Sequence, residues 1–164
     1  EMNTGSVISR GPDKLAFMGD TRLFAQFSIL DPETTYTLNE RQIGNGIVDA
    51  FVHTIEQYLT YSVDTPLQDR FAEGILQTLI EEGPKAIHVK EHYESRANIM
   101  LCATMALNGL IGSGAVQDWS THMIGHELTA RFGIDHARTL ALVLPSLLRH
   151  QKEKKSQKLL LTTE

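Results

Sequence analysis

Apolar residues follow two different patterns along this chain of 164 residues. Over residues 1–38 they come in short β-prone runs separated by turn residues. Ser6-Val-Ile-Ser and Lys14-Leu-Ala-Phe-Met predict two strands either side of Arg10-Gly-Pro-Asp, whose Gly-Pro and Pro-Asp pairs favour chain reversal. Phe24 to Leu30 is apolar enough to predict a third, buried strand that breaks at Asp31-Pro32. These strands read as the margin of a sheet whose larger part lies elsewhere.

From Asn39 the period changes to that of a helix. Asn39 with Gln42 three residues on predicts a capping box, and Ile43, Ile47, Phe51, Ile55 and Leu59 recur at helical spacing. Thr65-Pro66 predicts the start of a second helix, with Leu67, Phe71, Ile75, Leu79 and Ile80 as its buried stripe and Gly83-Pro84 as its end. Tyr93 to Ile111 is apolar nearly all round, which predicts a helix at the centre of a bundle, broken by Gly112-Ser-Gly-Ala. Asp118 to Phe132 predicts a fourth helix, with Gly133 as a left-handed cap. Asp135 then opens a fifth, with Leu140, Val143, Leu144 and Leu147 inward and Pro145 as a possible kink. The fold class of residues 39–164 is all-α, and no internal repeat appears.

Composition narrows the function classes. A net charge of −5 and a pI near 5.8 argue against a nucleic-acid binder. The one basic cluster, Lys152 to Lys158, reads as a solvated helix face. Cys102 is the single cysteine, which excludes an internal disulfide, and its apolar setting predicts an inert buried thiol. No apolar run reaches the roughly 20 residues of a membrane span, and no signal segment opens the chain. The expectation is a cytoplasmic protein. Glu1 runs straight into strand-like text and Leu159-Leu-Leu reaches the end without a helix stop, so a fragment of a longer protein is expected.

The candidate chemistry lies in histidines. His122 and His126 are one helical turn apart, His136 follows on the next element, and Asp49 and His53 form a second i,i+4 pair. Two such pairs on different helices plus one histidine suffice for a metal site in a bundle. A core histidine bonded to a carbonyl, or a solvent-facing Asp49, is the plainer reading of each residue taken alone. Imidazole with one carboxylate suits Zn²⁺ or Fe²⁺, and Mn²⁺ or Ni²⁺ less well. The His-Glu-x-x-His protease signature fails because Ala130 stands where its second histidine belongs, and no paired Glu-x-x-His supports a di-iron site. His88 and His92 share the four-residue spacing but sit in polar text, and with His150 they read as surface residues.

Asp49-Ala-Phe-Val-His53, His122-Met-Ile-Gly-His126-Glu-Leu and Gly133-Ile-Asp-His136-Ala, in this order, resemble the iron-containing alcohol dehydrogenase family. Within it the chain is most similar to the bacterial NADPH-dependent aldehyde reductases, or butanol dehydrogenases. The resemblance covers nearly the whole chain, Asn3 to Arg10 and Leu30-Asp31-Pro32 included. It implies the helical metal-binding domain of the dehydroquinate synthase-like fold over residues 39–164, truncated at its C-terminus. Residues 1–38 would be the strand-rich end of a nucleotide-binding domain.

By position, the resemblance implies Asp49, His53, His122 and His136 as ligands of a divalent metal, Fe²⁺ or Zn²⁺. His126 becomes a neighbour that relays protons or orients substrate, and Asn3, Lys14 and Thr37 become contacts to NADP(H). The implied reaction is hydride transfer between NADP(H) and a small aldehyde or alcohol, with a homodimer possible and neither nucleic acid nor membrane as partner. One departure matters: no Gly-rich phosphate loop precedes the first helix, and Gly44-Asn-Gly46 and Gly112-Ser-Gly114 are too short to replace it. A non-catalytic metal-binding remnant therefore stands as the alternative. A metal-dependent hydrolase ranks last, because no spare carboxylate is spaced as a general base beside the histidines.

Overall fold

The structure is a computed structural model and describes residues 2–11, 13–17, 19–61, 63–155 and 158, without the side chains of residues 7, 9, 14 and 16. A hairpin of β1 (Ser6–Arg10) and β2 (Asp13–Phe17) leads into five helices: α1 (Glu40–Tyr58), α2 (Pro66–His88), α3 (Tyr93–Leu107), α4 (Ser120–Phe132) and α5 (His136–Gln151). The strands are antiparallel, with Ser6 opposite Phe17 and Ile8 opposite Leu15. Gly11 has φ +60, the left-handed conformation that a tight reversal requires. Pro12 and Met18, which the sequence placed in this turn and strand, lie outside the described residues.

Residues 24–30 do not form the predicted strand. Their apolar side chains are open to solvent, Phe27 at 81% and Ile29 at 84%, and no described neighbour offers a ladder to pair with. Apolar composition alone does not make a strand without a partner edge.

The capping box at α1 forms as predicted: Asn39 Oδ1 accepts from the Gln42 amide at 2.9 Å, and Gln42 Oε1 accepts from the Asn39 amide at 3.4 Å. α2 runs through Gly83-Pro84 instead of ending there. Gly83 is buried with the methyls of Ile47 close by, so a close α1–α2 crossing holds this turn helical. Pro84 is exposed, as is Ile80, whose carbonyl loses its usual N–H partner on the solvent side. α3 stops at Leu107, short of Ile111, because Gly109 adopts φ +91 after the Asn108 cap.

The central helix is α1, where the apolar pattern had pointed to α3. α1 packs against all four other helices, and every residue from Val52 to Thr60 is buried. Burial of so polar a stretch is possible because its polar groups find partners. Thr54 Oγ1 donates to the Ala50 carbonyl, and Gln57 Nε2 donates to the carbonyls of His53 and Ala106. One apolar cluster joins α1 to α2 and α3 through Ala50, Ile75, Leu79 and Cys102. A second joins Ile55, Tyr58, Leu59 and Leu76, with Leu144 and Leu148 of α5 packed on it. Cys102 is buried, and burial pushes its thiol up, in keeping with an inert thiol.

The basic cluster is solvated only in part: Lys152 and Lys154 are exposed, whereas Lys155 and Lys158 find acidic partners. Lys155 Nζ lies 2.8 Å from Asp118 Oδ2, and Lys158 Nζ lies 2.7 Å from Asp69 Oδ1 and 3.0 Å from the Tyr58 carbonyl. Both lysines tie residues just beyond α5 to the rest of the bundle. No helix among the described residues is long and apolar enough to cross a membrane.

Candidate metal centre

α1, α4 and α5 pack against one another, and each brings ligand-type side chains to their meeting point. α1 presents Asp49 and His53 one turn apart. α4 presents His122 and His126 in the same way, and α5 begins at His136. The close approach of α4 and α5 depends on Gly125. A Cβ there would stand 2.9 Å from Leu140 Cδ2 and 3.1 Å from Thr139 Oγ1. Gly133, at φ +66, ends α4 as predicted and turns the chain back so that His136 faces α1. Asp135 does not cap α5 through its carboxylate. Its Oδ2 accepts from Asn45 Nδ2 at 3.0 Å and lies 3.4 Å from Arg41 Nε, which ties the start of α5 to α1.

Asp49, His122 and His136 each offer one ligand atom, and these atoms lie within 4.8 Å of one another. His136 Nε2 is 3.6 Å from Asp49 Oδ1, and His122 Nε2 is 3.8 Å from the same oxygen. These separations are too long for hydrogen bonds. They are close to the spacing of about 3.4 Å between two ligands at tetrahedral positions on an ion roughly 2.1 Å from each. Asp49 Oδ1 and His122 Nε2 are also buried polar atoms with no hydrogen-bond partner. Such atoms cost stability unless something polar or charged meets them. The donor set, one carboxylate and imidazoles, fits a borderline divalent cation.

The other two predicted histidines stand beside this trio. His53 lies with Nδ1 3.8 Å from Asp49 Oδ2, and its ring stacks on His122 with centroids 4.5 Å apart. His126 stacks on His136 at 4.4 Å and is more open to solvent than His122. Trp119 packs beside two of these rings in T-shaped fashion, its centroid 5.2 Å from that of His122 and 5.9 Å from that of His53.

Electrostatics separates these groups. Burial raises the Asp49 carboxyl, but the imidazoles of His122, His53 and His136 outweigh it and hold it below the usual carboxylate range. Burial lowers His122, yet Asp49 and Glu56 together bring it above the ordinary histidine value. His126 and His136 are lowered, chiefly by burial. His126 therefore stays neutral near pH 7.

Glu56 and Trp119 are the site residues that sequence reasoning passed over. Glu56 is 3% exposed, and its carboxylate meets Nδ1 of His122 as well as the backbone amides of Thr121 and His122. Its signal was present: Asp49, His53 and Glu56 sit at i, i+4 and i+7, on one face of α1.

The proposed cofactor contacts lie apart from the trio in the chain. Asn3 Nδ2 donates to the Leu107 carbonyl at 3.1 Å, and its Oδ1 accepts from the Gly5 amide. Thr37 is exposed in the turn before α1. Lys14 lies on β2, but its side chain is outside the described residues. His88 ends α2 exposed, and His92 caps α3, its Nδ1 accepting from the Ser95 amide at 3.2 Å.

A helical bundle that gathers a carboxylate and imidazoles around buried, unpartnered donor atoms has the form of a metal-binding domain. The sequence model of the Fe-containing alcohol dehydrogenase family, C-terminal region, matches residues 44–161, and the chain belongs to this family. It is 59% identical to the NADPH-dependent aldehyde reductase YqhD of Escherichia coli over 98% of its own length and 42% of that protein's. It is 43% identical to the probable NADH-dependent butanol dehydrogenase 1 of Bacillus subtilis, over 92% of this chain and 39% of that one. Among solved structures, the substrate- and cofactor-free aldehyde reductase YqhD superposes with a TM-score of 0.91 at 58% identity, covering 96% of this chain and 42% of that one. The butanol dehydrogenase A of Thermotoga maritima gives 0.86 at 31% identity, covering 95% and 39%. The chain thus spans about two fifths of the relatives it matches.

Proposed function

We propose that this chain is the metal-holding part of an NADP(H)-dependent aldehyde reductase or alcohol dehydrogenase acting on small aldehydes and alcohols. The observation that carries the reading is the meeting of Asp49, His122 and His136 from three helices, with their donor atoms within 4.8 Å. His53, beside Asp49 Oδ2, is the fourth ligand in this reading. When bound, a divalent ion, Fe²⁺ or Zn²⁺, supplies Lewis acidity toward a carbonyl oxygen, and the nicotinamide supplies the hydride.

The chain's own residues do the rest. Asp49 contributes the one negative charge to the cation, and the histidines contribute neutral donors. Trp119 keeps bulk water from one side of the cluster. His126, neutral and exposed beside His136, takes up or releases a proton at a ring nitrogen as the substrate oxygen changes charge. Asn3, Lys14 and Thr37 would meet the nicotinamide half of the cofactor. The NADPH-dependent relative at 59% identity supports NADP(H), while the relative at 43% is named for NADH. Residues 1–38 belong in this reading to a nucleotide-binding domain, and residues 39–164 to the metal-binding domain.

Metal analysis of the purified chain tests the site. Wild type should hold one divalent ion, and Asp49→Ala and His136→Ala should hold little. Full metal in both variants would overturn the assignment. The alternative is a non-catalytic metal-binding remnant. Metal retained without aldehyde-dependent NADPH oxidation by this chain alone would support it.

A further inference from the structure

Glu56 is an ionisable group buried on α1, and among the described residues no lysine or arginine pairs with it. Its two oxygens instead serve three nitrogen groups. Oε1 accepts from the Thr121 amide. Oε2 accepts from the His122 amide at 3.3 Å and meets Nδ1 of the His122 ring. The Glu56 carbonyl accepts from the Asp118 amide at 2.9 Å, so the backbone on either side of α4's start is pinned to the same residue.

A carboxylate only accepts hydrogen bonds, so Nδ1 must carry the hydrogen in the Glu56–His122 contact. The neutral ring then has its lone pair at Nε2, the buried atom that has no partner and looks toward Asp49 Oδ1 at 3.8 Å. We propose that Glu56 is a positioning residue of the metal centre, fixing His122 in the Nδ1–H tautomer so that Nε2 is presented as a donor. The proposal rests on the metal-centre reading above for its purpose, but not for its geometry. Carboxylates behind metal-binding imidazoles orient the ring and increase its basicity in this way.

The arrangement cannot be kept by an amide. In Glu56→Gln, one side-chain atom accepts and the other only donates. If the oxygen faces Thr121, the NH₂ group faces Nδ1 and drives the hydrogen to Nε2. If the oxygen faces His122, the NH₂ group opposes the Thr121 amide.

Two measurements on the full chain test this. Nitrogen-15 NMR of the metal-free protein at alkaline pH reads the His122 tautomer directly, and we expect the hydrogen on Nδ1 in wild type. Calorimetric titration with Zn²⁺ reads affinity, and Glu56→Gln should lose about 10- to 100-fold. Circular dichroism and a thermal melt show whether that variant is still folded. If it is not, the wild-type tautomer decides alone. Hydrogen on Nε2 in wild type, or a folded Glu56→Gln that binds Zn²⁺ as tightly as wild type, would overturn the proposal. If wild type shows the Nδ1–H tautomer yet takes up no Zn²⁺, the metal-centre reading fails while the Glu56–His122 assignment stands.

Discussion

Oδ1 of Asp49 stands 3.6 Å from Nε2 of His136, although one residue sits in the middle of α1 and the other opens α5. Neither atom is a hydrogen-bond partner of the other at that distance. Two groups are thus held close without bonding, at the separation that a shared cation would set. The cost of keeping Asp49 Oδ1 buried and unpartnered is carried by the packing of the surrounding helices.

His53 should be the weakest contributor among the four proposed ligands. It lies against Asp49 and His122 but outside the group whose donor atoms converge. Its replacement by alanine should lower Zn²⁺ affinity by about 10- to 100-fold, a loss like that of a supporting partner. Asp49→Ala removes the only carboxylate in the trio and should cost more. Titration calorimetry on both variants ranks them, and equal losses would make His53 a full member of the converging set.

Gly125→Ala should be destabilising even though the residue binds nothing. Its Cβ would enter the space held by Leu140 Cδ2 at 2.9 Å and Thr139 Oγ1 at 3.1 Å, forcing α4 and α5 apart. Overpacking of this kind costs about 1–3 kcal/mol. For a domain of this size that is a fall in melting temperature of about 2–4 °C per kcal/mol. The same displacement moves His136 away from Asp49, so metal affinity should fall with it. A variant that melts like wild type would show that the interface gives way freely.

How far the sequence could be read depended on the range of the interactions involved. Local signals held: the Asn39–Gln42 box, the left-handed Gly133 and the i,i+4 pairs all depend on neighbours in the chain. Features that depend on tertiary partners were not legible in the same way. Gly83-Pro84 carries every local sign of a helix end, yet the α1–α2 crossing keeps the helix going. Phe24 to Leu30 has strand composition but no partner edge. The apolar text of Tyr93 to Ile111 pointed to a central α3, whereas α1 is central because the partners of its polar groups, such as the Ala106 carbonyl for Gln57, lie on other helices. Glu56 was missed for the same reason, since its meaning depends on a histidine 66 residues away.

Replacing Pro84 by alanine should stabilise the chain. The proline leaves the Ile80 carbonyl without its helical partner, and both residues are exposed, so alanine adds an N–H without disturbing the core. The greater freedom of the unfolded alanine chain offsets part of the gain. A net increase of about 1 kcal/mol in urea denaturation is expected. A loss of stability instead would mean that the proline holds the α1–α2 crossing in place.

The strap between Lys155 and Asp118 should give the protein a distinct acid dependence. Burial raises the Asp118 carboxyl, but the hydrogen bonds from Lys155 and Ser120 outweigh it and leave its folded pKa below the ordinary value. The unfolded chain therefore binds a proton here at a higher pH than the folded chain. The contribution is complete above about pH 4 and is lost as pH falls through the depressed folded value. Because the pair is partly exposed, screening limits it to about 1 kcal/mol or less. Asp118→Asn should lower stability at neutral pH and converge on wild type in acid. Lys155→Ala should show the same loss, and the double variant little more, because both remove one interaction. Urea melts of the four proteins at neutral and acid pH provide the check, and a wild-type advantage that persists unchanged into acid would show that Asp118 acts through packing and not through its charge.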